Sequence, residues 1–421
     1  MMKKLVSLVL ALSMMLTMVA FSATAETTDE PVTLTILSLK NESAPQEAFN
    51  EMFENFSKQY PNVTFEMQSM TSDELKTTLR ARIASGDVPD IVTWMKEIDA
   101  SYLYDLTGQE FLNNLNSETV AGANAIYSEG TYAMPIDNGY IGMFYNKDVL
   151  AANDVALPTT LEELRAACEA LKAKGVTPFA TGCLDLSVPY IGLIGLFAQT
   201  VYAQDPTWSA KRDAGEVSFA TSAEWRKAFD LLTEIVYGYA DANNTFNMDY
   251  DQSAACLATG NAAFYIQGSW ALSAIRSANK DANIGICAIP VTDNADDAKL
   301  LAFPDTSMSV MKDSKHVDWA LKFMDYMTTQ EAGTIWSEKV AVSSAVKGVE
   351  VDWDPIASDI NYYLSNNKFT PYGDRVLRTI FTDKLWEQFS TVMLGTATYD
   401  DLAKELDTFW DKALEAEKAA N

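Results

Sequence analysis

Histidine is almost missing from this chain: His316 stands alone among 421 residues. One imidazole cannot furnish a multi-histidine zinc centre. Its place between Lys315 and Val317, in a polar turn, reads as solvated rather than as the base of a catalytic triad. Cysteine is scarce as well. Cys168, Cys183, Cys256 and Cys287 are scattered and include no C-x-x-C pair, which excludes a disulfide-dense scaffold and leaves no redox or thiolate-metal motif. Positive charge is short: 31 Lys and Arg stand against 58 Asp and Glu, a formal net charge of −27. Such a surface repels phosphate backbones and anionic headgroups, which argues against nucleic acid or a membrane face as partner. G-x-S-x-G, H-E-x-x-H and Walker-type loops are all missing. The many acids offer carboxylate pairs of the kind glycoside hydrolysis uses, but no motif singles one out. Asp241, Asn244, Asp249 and Asp251 lack the spacing of a twelve-residue calcium loop. No metal and no cofactor are expected.

What is present begins with a leader. Met1–Lys4 carries two lysines, Leu5–Phe21 is uncharged, and Ala23-Thr24-Ala25 is a small-x-small cleavage site. This is the pattern of a secretory signal peptide over residues 1–25, giving a secreted chain that begins at Glu26. The first cysteine is Cys168, so no lipobox cysteine follows the leader. Beyond it no apolar run approaches the ~18 residues of a membrane span. The remainder is roughly 400 residues, enough for two domains.

Val32–Leu37 alternates as a strand. Ser43 and Gln46 have capping-box spacing, and Phe49, Met52, Phe53, Phe56 and Tyr60 then mark one helix face. Val63, Phe65 and Met67 alternate as a second strand. Thr71 and Glu74 open another helix, and Pro89–Trp94 is a third strand. Strand-helix-strand-helix-strand with short links predicts a parallel α/β lobe. Further on, Tyr140–Tyr145, Ala262–Ile266 and Ile284–Ile289 read as strands. Helices are predicted from the Thr160/Glu163 box with its Leu161, Leu164, Cys168, Leu171 stripe, over Glu224–Tyr237, over Asp318–Met327, and from Leu377 to Ala420.

Four segments carry a resemblance. They are Gly86–Trp94 (GDVPDIVTW), Gly130–Leu164 with its PIDNGYIGMFYNKDVL core, Leu257–Ile275 (LATGNAAFYIQGSWALSAI) and Val317–Ser344. In this order they resemble bacterial extracellular solute-binding proteins of family 1, the maltose-binding-protein type. The resemblance implies a two-lobed α/β fold of the periplasmic-binding-protein type (type II), each lobe a sheet flanked by helices, with a ligand cleft between them. It places the N-terminal lobe at 26–138 and 274–312 and the C-terminal lobe at 139–273 and 313–421, with crossings near Asp137–Tyr140, Trp270–Ser273 and Met311–Ser314. It further implies that a sugar or oligosaccharide is captured there by a monomer and handed to the membrane permease subunits of an ABC importer, with no catalysis. Two other readings stay open: a secreted carbohydrate-active enzyme, and a sensor module on the same fold.

Trp94 ends a parallel strand, where ligands of open α/β sheets bind, and Trp270 follows a Gly-Ser turn. Each indole is either a cleft platform or a packed side chain, and the resemblance favours the cleft. Lys40, Asn41, Glu42, Asp137, Asn138 and Tyr140 supply polar groups nearby. Asp305 lies in Phe303–Ser307, where the family usually has a glycine-rich stretch. Trp386, on the late helix, reads as core. By these lobe boundaries Cys287 has no partner in its own lobe, so a free buried Cys287 and at most one bridge, in the second lobe, are expected.

Overall fold

A computed structural model of the chain describes residues 30–93, 98–127, 129–185, 187–241, 244–352, 354–371, 388–389, 391–392 and 396–420. The leader, Trp94 and Trp386 lie outside the described residues, as does much of the first half of the helix predicted from Leu377 to Ala420, whose second half is described.

The first lobe starts as its sequence predicts. β1 (Val32–Ser38), α1 (Ser43–Gln59), β2 (Val63–Ser69), α2 (Ser72–Ser85) and β3 (Ile91–Thr93) follow in turn, with β1 parallel to both β2 and β3. Alternation along β1 sorts the side chains. Leu34 and Ile36 face a core with Phe49, Met52 and Phe56 of α1, while Leu37 faces Leu75 and Leu79 of α2. The Thr71/Glu74 box forms. The Ser43/Gln46 box does not: Glu42 is the N-cap, and Gln46 Nε2 donates instead to the Asn41 carbonyl at 2.7 Å. α3 (Ser117–Asn124) and β4 (Met134–Pro135) complete this first pass.

The chain then crosses at Ile136 into β5 (Asp137–Asn146), the centre of a second sheet. α4 (Lys147–Ala152), α5 (Leu161–Ala173), β6 (Thr177–Phe179), α6 (Ser187–Phe197), α7 (Trp208–Asp213), α8 (Ala223–Asp230), α9 (Tyr250–Ala258), β7 (Ala262–Gly268), α10 (Ala271–Ala278), β8 (Ile284–Cys287) and β9 (Leu300–Pro304) build that lobe. The Thr160/Glu163 box caps α5, and Leu164, Cys168 and Leu171 are buried. The helix predicted over Glu224–Tyr237 is α8 followed by a wider π-helical stretch, Leu231–Tyr237.

The chain returns to the first sheet through β10 (Ser307–Val310), which lies antiparallel between β3 and β4. α11 (Val317–Met327) and α12 (Gln330–Val340) pack Phe323, Met324 and Trp336 on the α1 core. β11 (Ser343–Ser344) pairs with the start of β5. α13 (Ile356–Ser365), β12 (Phe369–Pro371) and α14 (Tyr399–Ala420) lie on the second lobe, α14 tied there by Arg212 to Asp407 at 3.0 Å and Asp411 at 2.7 Å. Among the described residues no helix is long and apolar enough to cross a membrane.

These contacts correct the expected lobe boundaries. β8 and β9 both pair antiparallel with β5, so only the end of the 274–312 segment, β10, is in the first sheet. The second-lobe stretch expected from residue 313 instead opens with α11 and α12 on the first lobe. Of the expected crossings, the one near Asp137 is found. Trp270–Ser273 opens α10 inside the second lobe, and Met311–Ser314 is the turn from β10 to α11 inside the first. The second crossing is Asp305–Thr306. The third falls between Val349, packed on the first core, and Asp354, which forms a two-pronged ion pair with Arg276 on α10. The cause is local: α10 buries Leu272 and Ile275 against the face of the second sheet that β7 has just left, so the next strand returns to that sheet.

Cys287 therefore shares a core with Cys168, and the lobe argument for its isolation fails. All four cysteines are nevertheless free, and the buried Cys287 thiol points at the Met143 carbonyl, 3.4 Å away.

β8 and β9 run in line along one side of β5, with residues 288–299 looping out between them. Gly142 sits opposite the break. A methyl group there would lie 2.6 Å from the Cys287 carbonyl oxygen and 2.8 Å from Leu300 Cδ1. Gly142→Ala is expected to cost about 1–3 kcal/mol through overpacking, read from chemical denaturation. A stability equal to the parent would show that the strand break relaxes freely.

Candidate functional site

Two of the crossings are tied together at the carboxyl end of β1. Ser38 is buried and accepts from Thr93 Oγ1 at 2.8 Å, and Lys40 N donates back to Ser38 Oγ at 3.1 Å, which turns the chain out of the sheet. Lys40 Nζ then reaches Asp305 Oδ2 at 3.1 Å on the second crossing. Asp137, at the first crossing, is fully buried. Its Oδ1 accepts from Thr306 N at 2.6 Å and its Oδ2 from Trp336 Nε1 of α12 at 2.7 Å. Ile136 N donates to the Thr306 carbonyl at 2.9 Å.

Charge at this junction is strongly coupled. Burial first, and the Asp305 carboxylate second, push Asp137 up to about 6, while Lys40, Thr306 and Trp336 work against them. Burial opposes the Lys40 ammonium, but the carboxylates of Asp305, Asp137 and Glu42 outweigh it and hold the ammonium above its usual range. Between the ordinary aspartate value near 3.8 and about 6, the folded chain keeps a proton on Asp137 that the unfolded chain has lost. The stability contributed by this carboxyl thus falls as pH rises through that window. Carboxyl carbon NMR, assigned against Asp137→Asn, should find its midpoint near 6. A midpoint in the ordinary range would show that water reaches the group.

The second sheet presents its end to this junction. Asn138 and Gly139 pair with Pro304 and Phe303. Trp270, half-buried, meets Phe303 edge-on at 6.1 Å between ring centroids. Its ring is folded back over the end of β7. A methyl on Gly268 would fall 2.2 Å from Trp270 Cη2, so only glycine permits this pose.

The residues singled out in the sequence divide accordingly. Lys40, Asp305 and Asp137 meet, and Trp270 stands beside Phe303 at the adjoining sheet end. Asn41 and Glu42 are exposed just past Lys40, and Glu42 makes no side-chain cap bond to α1. Asn138 is half-buried and accepts from Thr119 Oγ1 at 3.0 Å. Two expectations are corrected. Tyr140 is buried in the second-lobe core, where alternation along β5 turns it inward, and its hydroxyl bonds Ser343. Asp137 has both oxygens taken and no exposed surface. Each supports the site from beneath and offers a solute no surface.

Sequence reasoning passed over Tyr250 at the start of α9. Burial raises its hydroxyl first, and then Tyr265 and the carboxylates of Asp251, Glu42 and Asp185 do so. Glu42 belongs to the first lobe, so part of the charge acting on Tyr250 comes from across the junction. Asp249 as a capping residue three before Gln252 was the available signal for that helix start.

Two other features stand apart. His316 is more than solvated: its Nδ1 lies 3.2 Å from Asp90 Oδ1, which also accepts from Ser314 Oγ at 2.6 Å. Ser314 donates to the carboxylate rather than to the imidazole, so no base activates it, and the cluster sits at the end of β10 remote from Asp305. A groove of about 310 Å³ runs along α9, lined by Gln252, Ala255, Cys256 and Thr259 with Asn244 and Asn261. These face away from Ser253, Ala254 and Leu257, which pack inward, so the groove is on the outside of the lobe. Among the described residues no cluster of histidine, cysteine and acids is suited to a metal.

Comparison with known proteins agrees with this architecture. A binding protein of Bacillus subtilis in an open conformation superposes with a TM-score of 0.76 at 21% identity, covering 92% of this chain and 98% of its own. A chitin oligosaccharide binding protein gives 0.77 at 20% identity, covering 91% and 99%. The multiple sugar-binding protein of Streptococcus mutans is 26% identical over 348 residues, 79% of each chain. The melibiose/raffinose/stachyose-binding protein MelE of Bacillus subtilis is 24% identical over 374 residues, 86% of this chain and 84% of its own. The model of the bacterial extracellular solute-binding protein family matches residues 40–334, from Lys40 at the junction into α12, and the chain belongs to that family of binding proteins rather than enzymes.

Proposed function

We propose that this chain captures a sugar or oligosaccharide between its two lobes and hands it, as a monomer, to the permease subunits of an ABC importer. The observation that carries the reading is the Trp270 ring folded over Gly268 beside Phe303, next to the Lys40–Asp305 pair and the open carboxylate of Glu42. Sugars present flat C–H faces and a rim of hydroxyls. An indole takes the faces, and charged groups take the hydroxyls through strong, directional hydrogen bonds. The relatives named for sugars, multiple sugars in one case and melibiose, raffinose and stachyose in the other, support the same class. Work is done by differential affinity: a ligand that touches both lobes favours the closed arrangement, and the three crossings are where the hinge turns.

Thermal unfolding in a panel of neutral oligosaccharides, raffinose and stachyose among them, tests this. A ligand at a hundredfold excess over its Kd adds about 2.7 kcal/mol and raises Tm by several degrees. A panel in which no saccharide moves the midpoint overturns the sugar reading.

A further inference from the structure

The chain touches the second lobe well before its last crossing carries it there. α12 ends at Ala341, whose backbone has φ 58° and ψ 54° and whose N–H donates to the Ser337 carbonyl at 3.0 Å. Glycine adopts this left-handed conformation freely and asparagine tolerates it, but it crowds the alanine Cβ against the following carbonyl oxygen. Half-buried Ala341 packs on the second-lobe core that holds Tyr140, Phe144 and Leu300, while its neighbour Val342 is buried in the first-lobe core. Ser343 and Ser344 then pair antiparallel with Asn138 and Asp137 at the start of β5. Ala345 N donates to the Ile136 carbonyl at 3.0 Å, and Ala345 and Val346 return to the first-lobe core. Residues 341–344 thus form an arm that leaves the first lobe, lies on the second and goes back. The arm is fixed to the first lobe. A methyl on Gly333 of α12 would fall 2.9 Å from both Ser344 Oγ and Val349 Cγ2, so the returning chain lies directly on that helix. Asn116 N donates to the Ala345 carbonyl at 3.0 Å, Lys347 N to that of Asn114 at 2.9 Å and Lys347 Nζ to that of Asn113 at 3.0 Å. On the second lobe the arm bears through the Ala341 methyl and the short pairing with β5.

We propose that Ala341–Ser344 is the stop of the hinge: the arm bears on the end of the second sheet and sets the resting angle between the lobes, and with it the affinity of the cleft for its solute. Rotation about the crossings turns β5 against an arm that moves with the first lobe, so bulk at residue 341 changes the energy of each lobe angle. A strained backbone persists only where its surroundings impose it. Here the helix end holds Ala341 from one side and the second-lobe core from the other. Apparent affinity scales with the fraction of molecules at the binding-competent angle, so residue 341 acts without touching the solute. This holds whatever solute the cleft takes.

Ala341→Gly and Ala341→Asn in the full chain test it, because both residues accept the left-handed backbone and differ in what they press on the second lobe. Glycine withdraws the methyl and asparagine enlarges it. With folding checked by circular dichroism, small-angle X-ray scattering of the ligand-free proteins should give radii of gyration displaced from the parent in opposite directions. Calorimetric titration with raffinose and stachyose should follow the radii. The wider variant is expected to bind at least ~3-fold more weakly than the parent, and the narrower at least ~3-fold more tightly. A mere helix cap would instead give two variants more stable to denaturant, with the parent's radius and affinity. Equal radii, displacements of one sign, or affinities that do not follow the radii overturn the proposal. If neither saccharide binds any of the three proteins, the sugar reading fails, and the radii alone decide whether the arm is the stop.

Discussion

Trp270→Ala should weaken oligosaccharide binding at least ~10-fold, the scale of a buried aromatic anchor, while leaving the fold in place. The indole is half-buried and makes its ring contact with Phe303, so its loss uncovers part of the sheet end without opening the core. Gly268→Ala is the sharper companion. It removes no atom of the ring but fills the space beneath it, since the new methyl would stand 2.2–2.3 Å from three ring carbons. The ring must swing away, and affinity should fall with Trp270 still present. Calorimetry on both variants, with circular dichroism as the control, reads the result. Unchanged affinity in both would remove Trp270 from the binding surface.

The second large effect is on stability. Trp336→Ala is expected to cost about 3–5 kcal/mol. The ring is 1% exposed and packs edge-on against Phe49 at 4.9 Å. Its Nε1–H is also one of the two donors that satisfy the fully buried Asp137 carboxylate. Two losses therefore add: a cavity in the α1 core, and a buried charge stripped of a donor. Trp336→Phe separates them, keeping most of the packing and removing the hydrogen bond. It should cost about 1.5–3 kcal/mol. A Phe variant as stable as the parent would mean that Asp137 finds another donor at the crossing.

Much of this architecture was legible in the residues. The first lobe's order followed from period-2 strands alternating with 3.6-period helices, and short links required parallel pairing. The Thr71/Glu74 and Thr160/Glu163 boxes formed as their spacing implied, because each N3 glutamate reaches back to an otherwise unpaired backbone donor. Family resemblance reached the two-lobed fold but misplaced its boundaries. Motif order along a chain does not say which sheet a strand joins. Adjacency does: Ala262–Gly268, an amphipathic helix and Ile284–Cys287 form a continuous local unit, and its third element belongs with its first.

The site was harder to read. Lys40, Asp137 and Asp305 are 265 positions apart at the extremes, and nothing local foretells that Lys40 and Asp305 pair. Nor could composition tell which polar residue touches a solute and which supports it from below. Asp137 and Tyr140 sit two and five residues beyond Pro135, in the run that looked most like a cleft, yet the pleat of β5 and the indole of Trp336 take both out of reach. Tyr250 was passed over for the converse reason. Its neighbours Asp249 and Asp251 were weighed only as calcium ligands, and the Glu42 carboxylate whose charge acts on it comes from the other lobe.

The most direct measurement is a crystal structure of the chain with the tightest-binding oligosaccharide of the panel. The expected result is a sugar ring stacked on Trp270, between the lobes, with hydroxyls in hydrogen-bond reach of Glu42 and the Lys40–Asp305 pair. A saccharide seated instead in the outer groove along Gln252, Thr259 and Asn261, with the junction untouched, would contradict it.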